Sequence, residues 1–416
     1  MVAAFSVLRM IAVLRHPVSF PDTKSYMQLS FVGDSERLWT VPLVWKVFPS
    51  DGLREAVQLA FGVLAWSTLA VTVSSLVSNV RARRVAVVAA LALGLVTQVT
   101  SWDSTLLSES LSTSLLVLLI ALMLRVHQRS SRSLIVVCVA VTVLWVFARQ
   151  VNVVVYVLLL PFVVVFLLRR TPRWRTAPLI ALIAVFAAVA AWGLFAITRP
   201  GIGSGVWKQN ALQILEDRIA PDPAALSFLY SRGLPRSPEI LTERGAFPGS
   251  TSPLFRDPTI IHWLDHDFKP SYFAYLLTHP RYSVLNPFAK MAVAASEPVD
   301  TLAARAVLPG PVADSLWGTN EGDIPFWVAV AAILAVMAFA SRAAVRVVPV
   351  TVFFLLASAV ASIVVWDTTG DPPASSSLAR QAMPVSVALR IGLLLTIVTC
   401  ADALLRERRR DANRGV

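Results

Sequence analysis

Four charged residues stand apart in an otherwise apolar chain: Asp22 in SFPDTKSY (19–26), Glu109 in LLSESLS (106–112), Arg149 in FARQVN (147–152) and Arg380 in SLARQAM (377–383). A carboxylate can take the proton of a reacting hydroxyl when it comes within hydrogen-bond reach. A guanidinium offers a planar fork of donors that matches phosphate oxygens. Together these types could transfer a group away from a phosphate. Each also has a plainer reading. Asp22 after Pro21 could be a helix N-cap, accepting bonds from orphan backbone N–H groups. Glu109, with Ser112 and Thr113 three and four positions on, could be part of a hydrogen-bonded stripe between helices. The arginines could snorkel or pair with these two acids. An acid inside a spanning helix costs about 2.5–3.5 kcal/mol on insertion scales, so Glu109 is expected to be functional or paired. Asp103, nearer the helix end, is either a cap or a second acid.

The elements that must position these groups are membrane helices. Of 416 residues, 56% are hydrophobic and 15% charged, and mean hydropathy is +0.67. That balance uses lipid as part of the solvent. The net charge of +12 is the excess of 37 basic over 25 acidic residues, and of the basic ones only Lys24, Lys46, Lys208, Lys269 and Lys290 are lysine. With the Ala and Val content, this points to a GC-rich bacterial genome. The basic residues cluster between apolar runs, as in cytoplasmic loops, and nucleic-acid binding is set aside on that ground.

Apolar runs that approach the roughly 20 residues needed to span lie at about 54–79, 85–100, 105–124, 133–148, 151–168, 176–197, 325–341, 347–366 and 383–405. Residues 2–16 are read as a short, retained first helix, which makes about ten. Seventeen arginines lie in alternate connections: Arg81, Arg83, Arg84; Arg125, Arg129, Arg132; Arg169, Arg170, Arg173, Arg175; Arg342, Arg346; and Arg406, Arg408, Arg409, Arg410, Arg414. The intervening short connections hold Arg149 and Arg380 alone. By the positive-inside rule the arginine-rich ends and the C-terminus are cytoplasmic. The opposite, extracytoplasmic face then carries SFPDTKSY, Trp102, Asp103, the head of the Glu109 helix, Arg149, segment 198–324 and Arg380. Asp34 and Glu36 are read as solvated charges.

The organisation expected is an all-α integral membrane protein in three parts. Residues 1–197 form a transmembrane module with catalytic outer loops, 198–324 an extracytoplasmic domain with interfacial helices, and 325–416 the last transmembrane helices with a basic tail. Cys138 and Cys400 lie in apolar runs and suit neither a disulfide nor a metal. HWLDHD (262–267) puts His262 and His266 four apart, but no third ligand follows at a recognised spacing. No P-loop, GxSxG, HExxH or Rossmann fingerprint occurs.

Taken together, PDTKSY in a first outer loop, RLWTVPLVWKVFP (37–49), LLSESLS at the head of the fourth helix, a long outer segment and an arginine in the last outer loop resemble the GT-C superfamily of polytopic glycosyltransferases. The resemblance implies transfer of a sugar from a polyprenyl-phosphate donor to an extracytoplasmic glycan or lipid acceptor of the cell envelope. It implies Asp22 as base and Glu109 as the acid of the second outer loop, with Asp103 beside it. On the same face Arg149, Arg380 and Lys208 are candidates for the donor phosphate, and Tyr26, Lys24 and Trp102 for substrate. Thr23 and Lys24 stand where some members carry a second acid, so a divalent cation, Mg or Mn, is left open. The competing class is a lipid-linked-sugar flippase or transporter, which should place ionisable groups near the bilayer midplane.

Overall fold

Apolar periodicity resolves into helices throughout the computed structural model, which describes residues 1–13, 17–32, 35, 37–129, 131–170, 176–198, 206–242, 253–288, 305–319, 323–339, 348–368 and 376–413. Asp34, Glu36, Lys290, Arg173, Arg175, Arg342, Arg346 and Arg414 lie outside these. In chain order the helices are α1 (Val2–Val13), α2 (Thr40–Val47), α3 (Asp51–Leu76), α4 (Val80–Leu93), α5 (Thr97–Thr100), α6 (Ser108–Gln128), α7 (Arg132–Val146), α8 (Gln150–Arg170) and α9 (Thr176–Thr198). They continue as α10 (Val206–Gln213), α11 (Pro223–Ser231), α12 (Pro238–Thr242), α13 (Pro258–Trp263), α14 (Lys269–Thr278), α15 (Gly310–Trp317), α16 (Asp323–Phe339), α17 (Val348–Thr368) and α18 (Ser376–Asn413). Among the described residues the sole β feature is an isolated parallel bridge between Val18 and Thr105.

Four described stretches are long and apolar enough to cross a membrane: Asp51–Leu76, Ser108–Gln128, Ile180–Thr198 and Arg380–Arg409. Five more are apolar but shorter, at Val2–Val13, Arg132–Val146, Gln150–Val164, Asp323–Ala338 and Leu356–Thr368. Against the expected count of about ten, the described residues hold four full-length spans and five apolar helices short of that length. The helices begin where their caps dictate. Ser50 accepts from the Leu53 amide, Asn79 from those of Arg81 and Ala82, and Ser131 from that of Leu134.

α3 packs on α4 and α6, α6 on α7, and α18 on α16, α17 and α6. At one end of this bundle Arg125 of α6 donates to Thr72 at 3.0 Å, and Asp402 of α18 accepts from the Ser78 and Asn79 amides and pairs with Arg406. The arginine-bearing ends of α4, α6 and α18 thus share an end with the C-terminus of α3. Glu109, Arg149 and Arg380 share the other.

Residues 206–285 have a core of their own, with Leu212, Leu215, Ile219, Leu229, Ile240 and Trp263 all nearly inaccessible. Three π-helical turns, Ile214–Ile219, Leu264–Phe268 and Arg281–Leu285, interrupt its helices. Segment 198–324 is not uniform, however. Val307, Leu308, Ala313, Leu316 and Trp317 pack into the core of the bundle rather than that of 206–285. α15 ends at Gly318, in the left-handed region at φ 75°, where a side chain would meet Ile324 at 2.7 Å. The carbonyl of Trp317 accepts from Arg390 Nε at 2.7 Å, and the guanidinium lies 3.7 Å from the indole centroid. A buried arginine here meets a helix C-terminus, where carbonyl oxygens carry partial negative charge.

Candidate functional site

The segment 17–32 is held down on the head of α6. Val18 N–H donates to Ser104 O at 2.8 Å, Leu106 N–H to Val18 O at 2.9 Å, and Thr23 Oγ1 to Leu106 O at 3.0 Å. The chain then makes a 3-10 turn, Pro21–Met27, whose N-cap is Phe20 and whose closing bond runs from Phe20 N–H to Thr23 Oγ1 at 2.9 Å. Asp22 therefore lies inside the turn and does not cap it. Its carboxylate faces guanidiniums instead, Arg380 at 3.1 Å and Arg37 at 3.5 Å.

Glu109 sits below, in the first turn of α6, where the helix dipole favours an acid. It is 1% exposed and touches Arg380 Nε at 3.1 Å and Arg149 Nη2 at 3.4 Å. Ser108 Oγ lies 3.4 Å from its other oxygen and accepts from the Tyr26 hydroxyl at 3.0 Å. Arg149 also donates to Gln381 Oε1, next to Arg380 in sequence. Asn152 bonds Ser112 Oγ at 3.0 Å and the Trp145 carbonyl at 2.7 Å, pinning the α7–α8 connection to the polar stripe of α6. Residues more than 350 positions apart in sequence thus form one chain of contacts, Arg37, Asp22, Arg380, Glu109, Arg149.

Three guanidiniums meet two carboxylates in this chain, leaving one positive charge in excess. Arg149 is almost fully buried, yet its Nη1 has no hydrogen-bond partner. A buried donor without a partner is costly unless something supplies an acceptor. The arrangement therefore has the charge and the free donor to take an anionic oxygen. Asp22, with a side chain 40% exposed, is the acid that a second molecule can reach.

Other sequence candidates fall elsewhere. Asp103 pairs with Arg9 at 2.8 Å, both side chains 1% exposed, and accepts from Ser110 Oγ at 2.7 Å. Ser110 and Glu109 are consecutive on α6, about 100° apart around the helix, and serve different partners, so Asp103 belongs to a second cluster. Burial raises the Asp103 carboxyl above its ordinary range, opposed by the Arg9 charge and the Ser110 bond. Trp102 is buried in the core, and Lys24 is exposed at the surface of the 3-10 turn. Lys208 pairs with Asp265 at 2.7 Å within the 206–285 domain. His266 Nδ1 bonds the carbonyl of His262, and among the described residues no group of three His, Cys, Asp or Glu is placed to hold a metal.

Arg37, which sequence reasoning did not single out, joins the site fully. It bonds Ser25 Oγ at 2.7 Å and lies 5.0 Å from the Tyr26 ring centroid. The one available signal was its place at the head of RLWTVPLVW, the stretch that carries part of the family resemblance.

No family model and no curated protein matches the chain. Among solved structures, the crystal structure of ArnT from Cupriavidus metallidurans bound to undecaprenyl phosphate is similar over 95% of this chain and 76% of that one, with 15% sequence identity and a TM-score of 0.34. A likeness at that TM-score carries no argument, and the site stands on its own geometry.

Proposed function

We propose that this end of the bundle is the active site of a membrane glycosyltransferase that moves a sugar from a polyprenyl-phosphate donor to a cell-envelope acceptor on the extracytoplasmic side. The observation that carries the reading is the convergence of Arg149, Arg380 and Arg37 on two acids, with an excess positive charge and an unpaired buried donor on Arg149. In this reading the acceptor hydroxyl gives its proton to Asp22 as its oxygen attacks the anomeric carbon. The bond from that carbon to the phosphate oxygen breaks, and the departing phosphate is met by Arg149 and Arg380. Glu109 is too enclosed to reach an acceptor and holds the two arginines instead. The polyprenyl tail stays in lipid, consistent with a headgroup site at helix ends.

The flippase reading would need ionisable groups spread toward the bilayer midplane. The two acids and their arginines instead gather at one end of the bundle, which favours surface chemistry. The test is titration of the purified chain in nanodiscs with a polyprenyl monophosphate. Arg149→Met should weaken binding by about tenfold or more, the range of a lost buried charge contact. Unchanged affinity would remove the phosphate role.

A further inference from the structure

The arginine-bearing segments of the site rest on one apolar wedge. Val365 and Trp366, near the end of α17, form a buried cluster with Leu378, Ala382 and Val385 of α18, and Val151 of α8 packs against it. Leu378 and Ala382 bracket Arg380 and Gln381. Val151 follows Arg149 by two residues. The wedge therefore supports both sides of the pair that holds Glu109.

The outer domain grips this wedge from its other side. Arg218 lies 3.7 Å from the Trp366 ring centroid and donates through Nη1 to the Trp366 carbonyl. Tyr272 donates its hydroxyl to the Asp367 carbonyl at 3.2 Å and lies 3.4 Å from the Tyr282 hydroxyl. Arg218 is itself buried, on the π-helical turn Ile214–Ile219, whose Ile214, Leu215 and Ile219 enter the domain core. A charge taken out of water and held over an indole is well fixed, because the ring attraction acts at close range and the carbonyl bond is directional. The domain is thereby tied to Trp366, against which Leu378 and Ala382 on either side of Arg380 pack.

We propose that Arg218 is a positioning residue for Arg380, by which the outer domain, through Trp366, sets the turn that presents Arg380 and Gln381 to Glu109 and Arg149. The consequence for ligand binding rests on the polyprenyl-phosphate reading above; the mechanical consequence does not. A merely structural role for Arg218 would loosen the domain and weaken every ligand alike. A positioning role removes selectivity for the phosphate.

The experiment compares the full chain and its Arg218→Ala variant in nanodiscs by two measurements. Hydrogen exchange over residues 376–385 should accelerate in the variant while the α3–α4 turn, held by Asp402, stays unchanged. Affinity for a polyprenyl monophosphate should fall by about tenfold, with affinity for the corresponding polyprenol within about twofold, as expected for loss of one contact coupling. Arg218→Lys, which keeps the charge over the ring, should recover part of the selectivity. Unchanged exchange over 376–385, or an equal loss for phosphate and alcohol, overturns the inference. If the unaltered chain itself does not prefer phosphate over alcohol, the polyprenyl-phosphate reading fails, and the exchange measurement alone decides the coupling of Arg218 to the Arg380 turn. Should Arg218→Ala fail to fold, Arg218→Gln carries both measurements.

Discussion

Asp22 and Glu109 are both carboxylates at the same end of the bundle, and their surroundings give them different work. Asp22 is 40% exposed and shares its guanidiniums with water, whereas Glu109 is 1% exposed between two arginines. Asp22→Asn should abolish transfer and leave binding of a polyprenyl monophosphate within about twofold, because the amide keeps the shape but not the basicity. Near-normal transfer by that variant would show that Asp22 serves only to hold Arg380 and Arg37. Glu109→Gln should instead weaken monophosphate binding and lower the unfolding temperature together, since removing one partner of a buried pair costs about 3–5 kcal/mol. A change in transfer alone, with stability and binding intact, would return Glu109 to a proton-transfer role. Asp103 makes a third case. Asp103→Asn should lower the unfolding temperature, and adding Arg9→Met should restore much of it, since a buried pair replaced as a whole leaves no uncompensated charge. Failure of the second substitution to rescue would mean that Asp103 is held for another reason.

Between elements, the close approach of α1 to α3 is what allows that pair to form. A side-chain carbon at Gly62 would come within 2.6–2.8 Å of the Arg9 guanidinium, which Asp103 and the Gly94 carbonyl hold in place. Gly62→Ala should therefore displace Arg9 and destabilise the bundle by about 1–3 kcal/mol, the usual range for overpacking. Thermal unfolding in detergent checks this, and an unchanged midpoint would show that Arg9 can yield. The site shows the same dependence on neighbours. The 3-10 turn carrying Asp22 is short, and its position comes from the Val18, Thr23 and Leu106 bonds to the head of α6.

Over the whole molecule, the acid–arginine cluster and the arginine-rich turns lie at opposite ends of the helices. Asp402 ties the Ser78–Asn79 turn to α18 at the arginine-rich end, while Asp22, Glu109, Arg149 and Arg380 meet at the other. The positive-inside rule assigns the first end to the cytoplasm. On intact cells, Thr278→Cys should then react with a membrane-impermeant maleimide and Arg129→Cys should not, both positions being exposed in the folded chain. The native Cys138 and Cys400 are half-buried and buried, so replacing them first should be well tolerated. The reverse labelling pattern would place the acid–arginine site in the cytoplasm and end the envelope reading.

Sequence alone determined the helical segments and the grouping of unusual charges, because both are periodic or local signals: apolar runs of spanning length, and arginines confined to alternate connections. The α6 and α18 spans and the gathering of Asp22, Glu109, Arg149 and Arg380 at one end of the helices were legible in this way. Which acid meets which arginine was not legible, since that depends on how helices hundreds of residues apart lean together. Tertiary structure separated Asp103, which turns inward to Arg9, from Glu109, six positions on. It likewise sent Lys208 to Asp265, drew Arg37 onto Asp22, and put residues 307–317 into the bundle although the sequence groups them with segment 198–324. For Asp103 and for residues 307–317 the deciding term was the cost of leaving a buried charge or apolar side chain unpartnered, and partners are chosen in space, not along the chain.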